Sequence, residues 1–201
     1  MKRTWLIDSG HGGMIDGEYV TAPDKMFTHS NNEVFYEGVY NRDIKDMLFR
    51  RLWDAGIHCI DICPSELDIP LYERVSVANT YHTHYQNCVI LSLHSNASPQ
   101  HNASGFEVFA YNSTKSRRYG NILGEQLVYD FELPFRKADD NNFVKYGDLY
   151  LLKYTICPAI LVECLFFDNY QDYQLLIDPE FKKRYVNSLI QFILKAELVS
   201  V

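Results

Sequence analysis

The sequence has no excess of basic residues, no long apolar run and no cysteine framework, and each absence excludes a class of function. Its 19 Lys and Arg against 26 Asp and Glu leave a formal charge of −7 over 201 residues. A general nucleic-acid binder needs a basic face that displaces counterions from phosphates, so no nucleic-acid partner is expected. The same balance argues against adhesion through anionic surfaces or anionic wall polymers. No stretch approaches the roughly 18 uninterrupted apolar residues of a membrane span, so no membrane partner is expected either. The N-terminal MKRTWLIDSGHGG reaches Asp8 after only a few apolar residues, short of the roughly 7–15 of a secretory h-region. The expectation is synthesis in the cytoplasm without a signal peptide. The five cysteines are odd in number, and Cys59 and Cys63 have no second pair at zinc-ribbon spacing. They read as reduced thiols packed as small apolar residues, with no structural zinc.

What is present suits an ordinary folded chain. Apolar residues make up 47% and charged residues 22% of the 201, enough for one domain with a core sealed without disulfides. The 15 Tyr suit a cleft for polar, ring-shaped or sugar-like ligands, and equally a tyrosine-rich core. Neither repeats, linkers nor low-complexity segments interrupt the chain.

Strand and helix alternate along it. Residues 5–7 form a short apolar strand that opens at Gly10-His11-Gly12-Gly13 into a loop reaching residue 32, long enough to imply a function. Residues 34–55 carry apolar side chains at helical spacing and stop at Gly56. A strand at 57–62, a helix at 70–82 entered through Pro70, and a buried strand at 88–93 follow. Strand 105–110 and helix 116–131 come next, then an irregular stretch at 133–146 with a turn at 139–142. Strand 158–163 and a closing helix at 179–196 complete the pattern. Strands joined by helical crossovers predict an α/β fold, three layers with a mostly parallel twisted sheet and helices on both faces.

In such sheets ligands bind beyond the carboxyl ends of the strands. Four side chains fall at that rim: His11 after the first strand, His94 after the 88–93 strand, Glu163 at the end of the 158–163 strand, and Glu37 at the start of the first long helix. A His at a strand end also serves as a hydrogen-bonded structural residue, and a Glu at a helix start also serves the dipole. All four at one rim is the informative coincidence. Two imidazoles and a carboxylate suit a catalytic zinc with a position open to water, and a further carboxylate suits a general base. Glu163 interrupts an apolar run, where a carboxylate needs a partner or a raised pKa.

IDSGHGG at 7–13, the Glu37-to-Asn41 step, YERVSVAN at 72–79, SLHSNA at 92–97 and PAILVECLFFDN at 158–169 occur in this order. Together they resemble the signature blocks of the zinc-dependent N-acetylmuramoyl-L-alanine amidases of the type-3 family. The resemblance spans most of the chain. It implies one Zn2+ held by His11, Glu37 and His94, with Glu163 as the catalytic carboxylate. It implies hydrolysis of the amide between N-acetylmuramic acid and L-alanine of the peptidoglycan stem peptide. A phage-endolysin-like catalytic domain, monomeric, without a separate wall-binding domain, is the expected setting. Such a protein acts on the wall after release, or after export if a leader was removed. Two features depart from the family pattern. Glu33, four residues before Glu37, is an alternative ligand, although Asn41 favours Glu37. Cys164 and Leu165 stand where the family often has a small residue or glycine.

Several residues carry weaker expectations. Tyr19 in the long loop and Asn96 beyond His94 are candidates for substrate contact, Asn96 alternatively for capping the chain after His94. Arg74 offers a guanidinium for a stem-peptide carboxylate or a helix-surface salt bridge. Asp8 either tunes the His11 ring or supports its loop. His29 is a candidate for the groove wall. His82 and His84 are two apart and do not share a helix face.

Overall fold

The most apolar runs of the chain are also its most buried strands, and they determine where everything else packs. The computed structural model describes residues 3–23, 25–140 and 142–199. Strand β1 (Thr4–Ser9) leads into two hairpins, β2 (Met14–Ile15) with β3 (Glu18–Tyr19) and β4 (Met26–Thr28) with β5 (Val34–Tyr36). Then come α1 (Glu37–Asp54), β6 (Cys59–Asp61), α2 (Leu71–Tyr85), β7 (Cys88–Asn96), β8 (Glu107–Ala110) and α3 (Thr114–Asp130). The chain continues through β9 (Val144–Tyr146), α4 (Tyr150–Tyr154), β10 (Ala159–Phe166) and α5 (Tyr170–Ile177) to α6 (Pro179–Leu198).

Six strands form one sheet in the order β6-β1-β7-β10-β8-β9. β6, β1, β7 and β10 run parallel, while β8 pairs antiparallel with β10 and β9 parallel with β8. Successive side chains alternate between faces. Trp5, Ile7, Val89, Leu91, Leu93, Ile160 and Val162 therefore meet the apolar faces of α1, α3 and α6. Leu6, Ile90, Ala159 and Leu161 meet the smaller cover of α2 and α4. The same alternation places Ser92, His94 and Glu163 on the second, thinner-covered face. The four buried cysteines belong to these two cores, and all five thiols are free.

The expected α/β architecture is present, and the differences in detail have local causes. Val34–Tyr36, β-branched and aromatic, pair with Met26–Thr28, so the first helix begins at Glu37 rather than at 34. The long loop is less irregular than its composition suggests. Asp16 and Gly17 both take positive φ (51° and 85°), the geometry of a tight hairpin turn. The 88–93 strand runs on to Asn96 because β10 lies alongside it as far as Phe166. Helices α4 and α5, of 5 and 8 residues, are too short to declare themselves by periodicity. Asp139 and Asn142 bridge across the expected turn, whose Asn141 lies outside the described residues.

One buried carboxylate ties the distal end of β10 to its surroundings. Asp172 in α5 accepts from Phe166 N (2.9 Å), Gly105 N (3.1 Å) and Ser104 Oγ (2.7 Å). Replacing it leaves two buried N–H groups without partners. Asp172→Ala is expected to cost about 3 kcal/mol, a fall in Tm of roughly 6–12 °C for a chain of this size. Calorimetry of wild type and variant measures it, and an unchanged Tm would contradict this role.

Candidate metal centre

The chain leaves β1 for β6 on one side and returns to β7 on the other, so strand order reverses between β1 and β7. That reversal opens a crevice at their carboxyl ends. His11 lies two residues beyond β1, His94 near the end of β7, and Glu37 is the first residue of α1. Glu37 Oε2 is 3.3 Å from His11 Nε2, and its Oε1 is 2.9 Å from His94 Nδ1. The two imidazoles stand nearly perpendicular at 87°, with centroids 5.0 Å apart. One nitrogen or oxygen from each of the three residues lies within 4.8 Å of the others. No other group of three or more His, Cys, Asp or Glu among the described residues is arranged this way.

Glycine makes the convergence possible. A Cβ on Gly10 would lie 2.1 Å from the His94 ring, and one on Gly38 only 1.8 Å from the Gly12 carbonyl oxygen. Side chains at either position would push the His11 loop away from β7 or from α1. His11 itself has a φ of 64°, a conformation that non-glycine residues adopt rarely and chiefly where function holds them. Its carbonyl accepts from Arg42 Nη1 at 2.7 Å. The Asn41 amide donates to Gly10 O (3.2 Å), binding the first turn of α1 to the loop.

Burial alone would raise the Glu37 pKa, but hydrogen bonds and charge from His11 and His94 outweigh it and hold the carboxyl well below the usual range. His94 responds in the opposite sense: burial lowers its pKa, and Glu37 more than reverses this. A carboxylate kept ionised between two imidazoles is a ready cation ligand. Glu163 is the register partner of His94 across β7 and β10, and its Oε2 has no hydrogen-bond partner among the described residues. Burial, with Glu37 and Glu107 adding to it against His94 and Lys25, pushes its pKa up to about 8. A carboxyl poised there exchanges a proton near neutral pH.

An open cavity of about 320 Å³ lies beside His11 and His94, walled by Asp68, Ile69, Pro70, Leu71 and Arg74. A larger groove of about 490 Å³ runs along α1 past Val39, Tyr40 and Asp43 to Lys182. It contains none of the three converging donors, whereas His11 and His94 both line the smaller space.

Comparison with known proteins gives this geometry its family. Residues 6–195 match the type-3 family described as N-acetylmuramoyl-L-alanine amidase. The chain is a member of the N-acetylmuramoyl-L-alanine amidase family. Amidase LytC of Bacillus subtilis is 25% identical over 181 residues, 90% of this chain but 33% of that protein. The uncharacterised YqiI of Bacillus subtilis is 25% identical over 191 residues, covering 94% of this chain and 82% of YqiI. Among solved structures, the N-acetylmuramoyl-L-alanine amidase of Clostridium difficile 630 superposes with a TM-score of 0.79 at 24% identity, over 96% of both chains. Ami1 of Mycobacterium smegmatis gives 0.80 at 19% identity, over 97% of this chain and 96% of that one. The protein is therefore an amidase of the peptidoglycan-hydrolysing kind, on the expected α/β fold.

Not every residue singled out in the sequence of this amidase lies where expected. Glu33 does not join the centre: it is exposed and accepts from Asn31 and Tyr173. Arg74 is neither on a helix surface nor free to hold substrate. Only 2% exposed, it donates to Asp8, Ser9 O, Ile69 O, Asp68 and, at 3.4 Å, His11 O. Asp8 contacts Arg74, Ser92 and Cys63 rather than the His11 ring. Burial raises the Asp8 pKa, but Arg74 leads the interactions that bring it below its ordinary value. Asp8 reaches the loop backbone only through Arg74, which donates to Ser9 O and His11 O. Tyr19 is buried, and its hydroxyl accepts from Gly38 N at 2.9 Å, which steadies the start of α1. His29 is buried, bonded to Phe167 O and stacked on Tyr173, so it is not a groove wall. Asn96 caps the chain after β7 through Ala97 N and donates to Glu107 at 2.6 Å.

Glu107 is the residue the sequence reading passed over. It pairs with Glu163 across β10 and β8. Its signal was the same: a carboxylate set among Phe106, Val108 and Phe109.

The raised Glu163 pKa has a stability consequence in the metal-free amidase. The unfolded carboxyl ionises near 4.5 while the folded one keeps its proton to about 8. The folded form binds more protons in that window, so stability falls as pH rises through it. Glu163→Gln removes the effect. The variant should match the parent below about pH 4.5 and gain on it progressively up to about pH 8. Urea denaturation of metal-stripped protein across this range measures the difference; a constant difference would refute the assignment.

Proposed function

We propose that this amidase hydrolyses the amide between the lactyl group of N-acetylmuramic acid and the L-alanine of the stem peptide, with one zinc ion held by His11, Glu37 and His94. The donor set supports this reading: two neutral-capable imidazoles and one buried carboxylate converge within 4.8 Å, the ligand chemistry of a catalytic zinc rather than of calcium or magnesium. When bound, such an ion supplies Lewis acidity to a carbonyl oxygen and lowers the pKa of water.

The observation that carries the reading is Glu163, half-buried, with its Oε2 shielded from solvent and unpartnered, and the register neighbour of a proposed ligand. Its carboxylate takes a proton from the attacking water and returns it to the departing alanine nitrogen. Water adds to the lactyl carbonyl, the C–N bond breaks, and the products are a muramic carboxylic acid and a peptide with a free alanine amine. Glu37 is buried, and a floor shielded from bulk water strengthens the charge interactions there. The place of action is the cell wall, reached after release or export.

Purified sacculi and mass spectrometry test the bond. Peptide with an alanine amino terminus is expected; shorter fragments would indicate a stem peptidase, and no product would indicate a binding module. Glu163→Gln should keep its zinc by metal analysis and lose roughly 10²–10⁴ in turnover, whereas His94→Ala should lose both. Near-normal hydrolysis by Glu163→Gln would remove Glu163 from the mechanism.

A further inference from the structure

Glu107 and Glu163 are cross-strand partners, so a buried and a half-buried carboxylate lie side by side on one sheet face, about 5 Å apart at Cβ. Their surroundings differ. Glu163 Oε2 has no partner among the described residues, whereas Glu107 has three. Its Oε2 accepts from Asn96 at 2.6 Å, and its Oε1 accepts from Arg136 Nε at 2.9 Å and from the Lys145 ammonium. One cation and the Asn96 amide would be enough to neutralise and satisfy this carboxylate. Against Glu107 alone the second cation is in excess, and it is balanced by Glu163 only when that carboxyl is ionised. Neither cation is sealed away: the Arg136 side chain is 46% exposed and that of Lys145 27%. The Arg136 guanidinium also lies over the Phe166 ring, 5.4 Å from its centroid, which limits its swing.

The placement suits one part of the substrate. Neighbouring strands lie about 4.8 Å apart, so His94, Glu163 and Glu107 form a row about 10 Å long across β7, β10 and β8. A peptide chain advances at most about 3.5 Å per residue. If the scissile nitrogen sits at Glu163, the next residue along the leaving peptide comes level with Glu107 and its cations. The stem peptide carries acidic groups, and Arg74, the cation first considered for them, has its donors spent on the protein.

We infer that Arg136 and Lys145, held in place by Glu107, form a seat for a carboxylate on the residue that follows alanine in the stem peptide. The inference rests on the amidase reading above. Asn96, two residues beyond His94, fixes the far oxygen of Glu107 and so orients both cations. The seat sets the register of the peptide: an acidic group held there presents the alanine nitrogen, and not a later amide, to Glu163.

Isothermal titration of the wild-type protein with two synthetic stem peptides tests the seat. Both begin with L-alanine and differ only in a free carboxylate or a carboxamide on the second residue. The acidic peptide should bind about tenfold more tightly at low salt, with the preference shrinking as salt is added. Lys145→Met and Arg136→Gln should each bring the ratio towards one, and Arg136→Lys should restore part of it. Equal binding of the two peptides by the wild type, or no binding of the acidic peptide at millimolar concentration, overturns the seat without reliance on any variant. Hydrolysis of the two matching muropeptides separates the seat from the reading beneath it. Cleavage of both with equal kcat/KM removes the seat alone, and cleavage of neither removes the amidase assignment.

Discussion

The site depends on one buried ion pair. Asp8 and Arg74 are 1% and 2% exposed and meet at 2.9 Å, and neither could remain charged there alone. Asp8 stands on β1, its Ser92 partner on β7, Cys63 beyond β6 and Arg74 on α2. One carboxylate therefore joins three neighbouring strands at the end where the metal-type donors converge. The guanidinium passes this order onward, to the carbonyls of Ser9 and His11. The left-handed backbone at His11 persists because its carbonyl is held from two sides, by Arg74 and by Arg42.

A second departure from ordinary backbone lies on β10. The β7–β10 register shifts between Glu163 and Phe166, and Leu165 takes a φ of 61° while wholly buried. Leu165 is one of the two positions, with Cys164, where the resemblance implied a small residue or glycine, and the conformation is one that glycine adopts without steric cost. The bulge is clamped by Ser95 Oγ on the Cys164 carbonyl and by Asp172 on the Phe166 amide. It re-aims the strand immediately after Glu163, a usual place for such irregularities beside a reactive group. The Leu165 side chain is wholly buried within the larger core.

Much of this was legible in the residues. Apolar runs at 88–93 and 158–163 located the central strands, and polar residues ending those runs located the rim. Motif order gave Glu37 precedence over Glu33, and the geometry brings Glu37 to both histidines. What stayed hidden depended on contacts between distant segments. Tyr19 looked like a loop residue free for substrate because nothing in its neighbourhood announces Gly38, nineteen positions on. Arg74 looked superficial because helix α2 gives little sign of which face is buried. Glu107 was overlooked because its strand is antiparallel, which brings its amino end, not its carboxyl end, beside Glu163. Short hairpins and single-turn helices lack the length that a periodic pattern needs.

The cysteines bear on where such a protein can work. Reactive thiols are a weakness wherever oxidants reach a protein. Four of the five are buried, and burial pushes Cys59 and Cys88 up to about 11 and Cys157 to about 12, with Cys63 and Cys164 higher still. The thiolate is the form that oxidants attack, and at neutral pH it is scarce at every one of these positions. The chain thus carries five unbridged cysteines whose thiols are chemically quiet at neutral pH.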